Sequence, residues 1–185
     1  MSMRKSIEVI AQLHSRGVIA NYAITGAVAA LAYIEPALTQ DLDILVSLDG
    51  FESRQSGLLL LTPIEQALAD MGYSERSDVG VIIESWPVQF IPVASPLDQE
   101  ALELAADIQF GGEPSFAARV LRAEHVVAKA LSLGRLKDLA RVEAFLDQSA
   151  IDLGALRSVV LRHGLEQAWR NFCVKSGRAD ILQLG

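Results

Sequence analysis

The chain has 185 residues, of which 51% are hydrophobic and 21% are charged. This length and balance indicate one folded domain, or a compact core with a small appended module, and they exclude disordered, collagen-like and low-complexity classes. The single cysteine, Cys173, cannot form an internal disulfide or a cysteine metal cluster. We therefore expect a reducing, cytoplasmic location.

The formal net charge is −7, but the charges are unevenly distributed along the chain. From Gly17 to Ser115 there are two basic and fifteen acidic residues, whereas from Phe116 to Gly185 there are eleven basic and seven acidic ones. An acidic middle favours cations and a basic end favours phosphates, although ordinary solvated faces would give the same counts. The asymmetry also permits head-to-tail association into a homo-oligomer.

Hydrophobic periodicity and turn residues predict a mixed α/β (α+β) fold. In chain order we expect a helix at 4–15, a strand at 18–24, a helix at 26–33 capped by Thr25, a strand at 41–46, a helix at 63–71 capped by Thr62, strands at 79–84 and 87–91, a helix at 96–106 and a strand at 116–121. Four helices follow, around 126–131, 136–145, 153–161 and 165–174. This order predicts an α/β core over residues 1–121, with a mixed sheet flanked by helices, and a C-terminal helical module over 122–185.

The longest uncharged run extends from Gly17 to Ile34. It contains Asn21, Thr25 and Gly26, which give its middle the character of a turn. We therefore interpret this run as strand, turn and helix and not as a membrane span, and we expect no membrane partner.

Two short motifs carry the chemistry that the sequence indicates. Gly26 lies at the predicted strand-to-helix turn, where the backbone can approach a phosphate closely. Asp41 and Asp43 follow fifteen residues later on a predicted strand, and their i, i+2 spacing places both carboxylates on one face. Such a pair can bind one Mg²⁺ or a pair of ions about 3.5–4 Å apart, with water and substrate phosphate as the other ligands.

A strand, a glycine turn that opens a helix and a second strand with Asp-x-Asp follow one another in this chain. In this the chain resembles the nucleotidyltransferase superfamily, whose fold is shared with DNA polymerase beta and antibiotic-modifying nucleotidyltransferases. More narrowly, it is similar to a small bacterial group related to AbiE-type toxins of toxin–antitoxin systems. The phrase from Thr39 to Asp43 matches the Thr-x-Asp-x-Asp of that group. Lys129, with Arg135 and the Lys137-Asp138 pair, matches its downstream helical phrase.

The resemblance implies Mg²⁺-dependent transfer of a nucleoside monophosphate from a nucleoside triphosphate to an acceptor, which stays open between RNA, protein and a small molecule. It implies that Asp41 and Asp43 are the catalytic, metal-binding residues. It also implies nucleotide-binding residues, which are Gly26, Ala27, Thr39, Lys129 and Arg135.

Two departures from the family pattern favour a second interpretation. Ala27 stands where the family has Gly or Ser, and Gln89 stands on the strand expected to carry a third carboxylate. A neutral amide is a poor Mg²⁺ ligand and cannot act as a general base. Glu35 and Glu84 are the candidates to supply the third carboxylate in its place. The alternative is therefore a catalytically weak or inactive nucleotide-binding or protein-interaction module of the same fold. A third hypothesis is nucleic-acid binding by the basic C-terminal helices.

Overall fold

The computed structural model of the protein describes residues 3–35, 39–47, 61–110 and 115–184. Eight helices lie in these ranges: α1 (Met3–Ser15), α2 (Gly26–Ala30), α3 (Thr62–Asp70), α4 (Pro96–Glu103), α5 (Ala123–Leu133), α6 (Leu136–Asp147), α7 (Leu153–Arg162) and α8 (Glu166–Ser176). The same ranges hold six strands: β1 (Asn21–Thr25), β2 (Leu42–Ser47), β3 (Val81–Ile83), β4 (Trp86–Pro92), β5 (Ala106–Phe110) and β6 (Phe116–Val120).

The six strands form one mixed sheet in the order β3-β4-β2-β1-β6-β5. The central pair, β1 and β2, is antiparallel, and each of these strands also has a parallel neighbour, β6 for β1 and β4 for β2. Four of five residues of β1 and five of six residues of β2 are buried, because both faces of these central strands are covered. The predicted α/β fold with a mixed sheet and flanking helices is thus confirmed.

The first strand begins later than the sequence indicates, at Asn21 instead of Val18. The N–H groups of Val18 and Ile19 both donate to the carbonyl oxygen of Leu13. These bonds satisfy a carbonyl left open at the end of α1, so the two residues turn the chain and do not pair in the sheet.

Of the two predicted threonine caps, Thr25 has the predicted position but no capping bond, and Thr62 does not have the predicted position. Thr25 occupies the N-cap position of α2, but its side chain makes no capping hydrogen bond, and α2 ends at Ala30. The chain then tightens into turns with i to i−3 bonds, such as Leu31 N–H to the Val28 oxygen. At α3 the N-cap is Leu61, and Thr62 lies inside the first turn.

The sequence interpretation also missed β5 (Ala106–Phe110), because it extended the preceding helix to Ala106. That helix, α4, ends at Glu103. In β5 the apolar Ile108 and Phe110 alternate with Asp107 and Gln109, which is the two-residue period of an edge strand.

The four helices after β6 agree with prediction, and α5 lies at their centre. It contacts α2, α4, α6, α7 and α8. Large side chains of α6 and α8, including Phe145, Trp169 and Phe172, are fully buried beside it. This packing brings α5 and α6 next to the start of α2. None of the described helices is long and apolar enough to cross a membrane.

Candidate functional site

A cavity of about 880 Å³ opens where β1 runs into α2, between the sheet and helices α5 and α6. Its size is within the range usual for small-molecule sites. All seven residues predicted to bind metal or nucleotide line it, and these are Gly26, Ala27, Thr39, Asp41, Asp43, Lys129 and Arg135. The rest of its wall is largely apolar and small, with Ala30, Leu31, Ile34, Val126, Ala130, Ala140 and Ala144.

Gly26 allows the backbone conformation needed where β1 passes into α2. Its φ angle is +66°, in the left-handed region that favours glycine. A Cβ atom built at this position would overlap the carboxylate of Asp43 and lie 3.1 Å from its Cγ atom. Glycine therefore lets the start of α2 pack directly against the Asp43 carboxyl group.

Asp41 and Asp43 reach the cavity from the start of β2. Asp43 lies in the strand opposite Thr25 of β1, and Asp41 immediately precedes the strand. The hydroxyl of Thr39 donates to the backbone oxygen of Asp41 at 3.1 Å, and its Oγ1 atom lies 3.5 Å from Asp41 Oδ1. Thr39 thus fixes the loop that carries Asp41.

The electrostatics of the cavity are set by this carboxylate pair and by cations of α6. Burial, and then the negative charge of Asp41, raise the pKa of Asp43 above its ordinary value. The positive charges of Lys137, Arg141 and Arg135 oppose this rise in pKa. Two carboxylates therefore face a set of cations across one cavity, which suits a divalent cation with phosphate oxygens.

Gln89 lies directly beside Asp43, because β2 and β4 pair in parallel with these two residues in register. Its side chain is exposed and lines the cavity. Residues in register project to the same side of a sheet, so Gln89 presents an amide beside Asp43, on the strand where the resemblance leads us to expect a third carboxylate.

Of the two proposed substitutes for a third carboxylate, Glu35 lines the cavity and Glu84 does not. Glu84 lies in the tight turn between β3 and β4, with φ +51°, and accepts a hydrogen bond from the Tyr73 hydroxyl at 2.7 Å. Within the described ranges, no group of three or more His, Cys, Asp or Glu side chains is placed to hold a metal ion.

At the start of α6, a buried carboxylate aligns two guanidinium groups. Asp138 is fully buried and accepts hydrogen bonds from Arg135 Nε at 2.5 Å and Nη2 at 3.3 Å, and from Arg141 Nη1 at 3.3 Å. Hydrogen bonding to Asp138 raises the pKa of Arg135 further. Lys137, between them, is exposed and makes no hydrogen bond or ion pair with any residue that the structure describes.

Lys129 lines the cavity, but its ammonium group is paired with Asp98 of α4. Burial would raise the pKa of Asp98, yet the hydrogen bond and charge of Lys129 outweigh it and lower that pKa. Asp98 also accepts from the backbone N–H of Ala94 at 3.2 Å. The sequence analysis did not identify Asp98 as a site residue. The sequence indicates only that Asp98 lies in the first turn of a helix, after the capping Ser95, and this position is common for an aspartate.

A comparison with protein-family models gave no match to the chain, and a comparison with curated proteins gave none either. Among solved structures, the chain is similar to an antigenic nucleotidyltransferase-like protein from Paracoccidioides brasiliensis. The two share 13% sequence identity and superpose with a TM-score of 0.53, over 96% of this chain and 91% of that one. The protein therefore has the fold of a nucleotidyltransferase-like protein.

Proposed function

We propose that the protein is a Mg²⁺-dependent nucleotidyltransferase that moves a nucleoside monophosphate from a nucleoside triphosphate to a hydroxyl acceptor. The observation that carries this proposal is the meeting of Asp41 and Asp43 with the cations of α6 on one cavity. The likeness to a nucleotidyltransferase-like structure supports it at the level of fold. The acceptor class, and membership of the group related to AbiE-type toxins, are part of the proposal.

In this reaction the acceptor oxygen bonds to the α-phosphorus as the bond from that phosphorus to the β-phosphate oxygen breaks. Pyrophosphate leaves with the electron pair, and the acceptor proton passes to water. Asp41 and Asp43 would hold Mg²⁺, which on binding supplies Lewis-acid stabilisation of the phosphoryl oxygens. Lys137, Arg141 and Arg135 would bind the phosphates and offset the charge that develops on pyrophosphate.

A second candidate function is a module that binds a nucleotide without transferring it. Gln89 in register with Asp43 favours it, because β4 offers a neutral amide there instead of a carboxylate, and the pairing of Lys129 with Asp98 removes a free cation. Incorporation of label from α-³²P-labelled triphosphates into the RNA, protein and small-molecule fractions of a cell extract distinguishes the two. Label incorporation supports transfer, and tight binding without incorporation favours the module.

Calorimetric titration of each triphosphate, with and without Mg²⁺, tests the site itself. We expect Mg²⁺-dependent binding that weakens at least tenfold, about 1.4 kcal/mol, in the Asp41→Asn, Asp43→Asn double variant. The matched control is Asp107→Asn, since Asp107 is an exposed strand aspartate outside the cavity, and it should bind like the wild type. Equal binding by the wild type and the double variant would refute the proposal.

A further inference from the structure

We propose that this site holds a single divalent cation, and that Lys137 and Arg141 supply the positive charge that a second metal ion supplies in two-metal sites. The inference rests on the proposed function and concerns how the same cavity balances charge. It follows from the ligands that the sheet provides, the cations that α6 provides and the way those cations are held.

The sheet provides ligands for one ion only. Two ions about 3.5–4 Å apart repel each other strongly and need several anionic ligands between and around them. Asp41 and Asp43 are the two carboxylates at the start of β2, and the in-register position on β4 is the neutral Gln89. The other carboxylates that line the cavity lie off the sheet: Asp138 pairs with Arg135 and Arg141, and Glu35 lies beyond the end of α2. Since Mg²⁺ binds carboxylates far better than amides in such sites, the β4 side of the cavity lacks the ligand that a second ion requires.

Helix α6 provides fixed positive charge on the other side of the cavity. Lys137 and Arg141 are one helical turn apart, line the cavity and act electrostatically on Asp43. A second dication would have to enter beside these cations, which repel it. A triphosphate that enters with one ion instead meets two additional cations.

Asp138 orients Arg141, together with Arg135, toward this side of the cavity. Its buried carboxylate takes one donor of Arg141 and two of Arg135, so each guanidinium keeps further N–H groups for a phosphate. The short α2, with five residues, offers only a weak helix dipole. The charge of a leaving pyrophosphate is therefore offset mainly from α6.

Counting bound Mn²⁺ by electron paramagnetic resonance, with inorganic tripolyphosphate as the probe, tests the inference. We expect one Mn²⁺ per wild-type chain at saturation, and two in Gln89→Asp, because that change adds the carboxylate beside Asp43. Gln167→Asp is the matched control: Gln167 is an exposed glutamine of α8 away from the cavity, and the variant should bind one ion. Gln89 is exposed, so the fold should tolerate the change, which circular dichroism verifies.

A second variant tests the cations directly. Replacing both Lys137 and Arg141 by Met should weaken tripolyphosphate binding at least tenfold while one Mn²⁺ still binds Asp41 and Asp43. The inference would be overturned if the wild type bound two Mn²⁺ ions or if Gln89→Asp bound only one. It would also be overturned if the Lys137→Met, Arg141→Met variant kept its affinity for tripolyphosphate. Each of these outcomes would leave the proposed function standing. A wild type that binds no Mn²⁺ would overturn both.

Discussion

At the scale of single residues, Gly26 packs against the carboxylate of Asp43, so the backbone conformation of Gly26 affects the position of a proposed metal ligand. Gly26 has φ +66°, and a side chain there would overlap the Asp43 carboxylate. We expect Gly26→Ala to lower the free energy of unfolding by about 1–2 kcal/mol, the usual cost of a left-handed non-glycine residue. We also expect it to weaken Mn²⁺ binding at least tenfold, because the new methyl group displaces Asp43, one of the two proposed metal ligands. Urea denaturation and Mn²⁺ titration measure the two effects.

Gly177 offers a matched control for this substitution. Its φ is +67°, it follows the end of α8, and a Cβ atom there meets nothing within 4 Å. Gly177→Ala should carry the same backbone strain and leave Mn²⁺ binding unchanged. If both variants lose stability equally and both keep Mn²⁺ affinity, the Asp43 carboxylate is not the metal ligand that this contact positions.

The individual site residues differ in how far the sequence could predict them. Gly26, Asp41 and Asp43 belong to short motifs whose spacing is local, so their convergence on one cavity follows from one turn and one strand pair. The partner of Lys129 is Asp98, 31 residues earlier on another helix. Nothing in the local pattern around Lys129 indicates this pairing, because it depends on how α4 packs against α5.

At the scale of elements, Glu100 joins α4 to α5 and α7. Its carboxylate accepts from Arg162 Nε at 2.8 Å and Nη2 at 2.7 Å, and lies 3.1 Å from His125 Nε2 and 2.9 Å from His163 Nε2. The hydrogen bonds of Arg162 above all, and those of the two histidines, lower the pKa of Glu100 to about 2. Its side chain is only 20% exposed, so solvent screens these contacts incompletely.

The Glu100 contacts predict acid-sensitive stability. The pKa of Glu100 is about 2 in the folded protein against an ordinary 4.5, so its contribution is full above pH 4.5 and is lost as the pH falls from 4.5 towards 2. We expect Glu100→Gln to cost roughly 1–3 kcal/mol at pH 7, the usual cost of losing hydrogen bonds to a charged group. The cost should shrink in this acid range, and urea denaturation at several pH values measures it.

Glu103→Gln is the control for this experiment. Glu103 lies on the same helix, is exposed, and accepts a hydrogen bond from Gln99 one turn away at 2.6 Å. Its replacement should change stability by less than about 0.5 kcal/mol. An equal effect of the two variants, or a Glu100→Gln effect that does not vary with pH, would contradict the assigned role of Glu100.

Helices and strands were predictable where their hydrophobic residues follow one clear periodicity over many residues. Helices α5 to α8 show the helical period over ten or more residues, and their existence follows from it. The strand β5 has five residues and starts three residues after α4 ends, so the helical pattern before it concealed its alternation. The threonine caps differ for another reason: Thr25 is the N-cap residue of α2 without a capping side-chain bond, and α3 begins one residue earlier than predicted, so that Thr62 lies inside it.

At the scale of the whole molecule, the basic end of the chain is largely used to hold its own helices together. Arg162 of α7 pairs with Glu100 of α4, and Arg178, after α8, pairs with Asp147 of α6. Arg157 donates to the backbone oxygen of Leu182 at 3.1 Å. The positive charge counted in the sequence is therefore not, in the part of the chain that the structure describes, a continuous free face for a polyanion.

This arrangement predicts that nucleic acid binds weakly and that the binding constant depends only weakly on salt concentration. For single-stranded RNA the slope of log K against log salt is about −0.7 per neutralised phosphate, so the few cations of the cavity should give a slope no steeper than about −2. Fluorescence anisotropy with a labelled 20-nucleotide RNA from 50 to 200 mM KCl measures the slope, and tripolyphosphate should displace the RNA. Lys175→Gln, on the exposed side of α8, should leave binding unchanged. A slope of about −4 or steeper, together with weaker binding by Lys175→Gln, would instead place the RNA on the C-terminal helices, because only contacts outside the cavity supply that many phosphates.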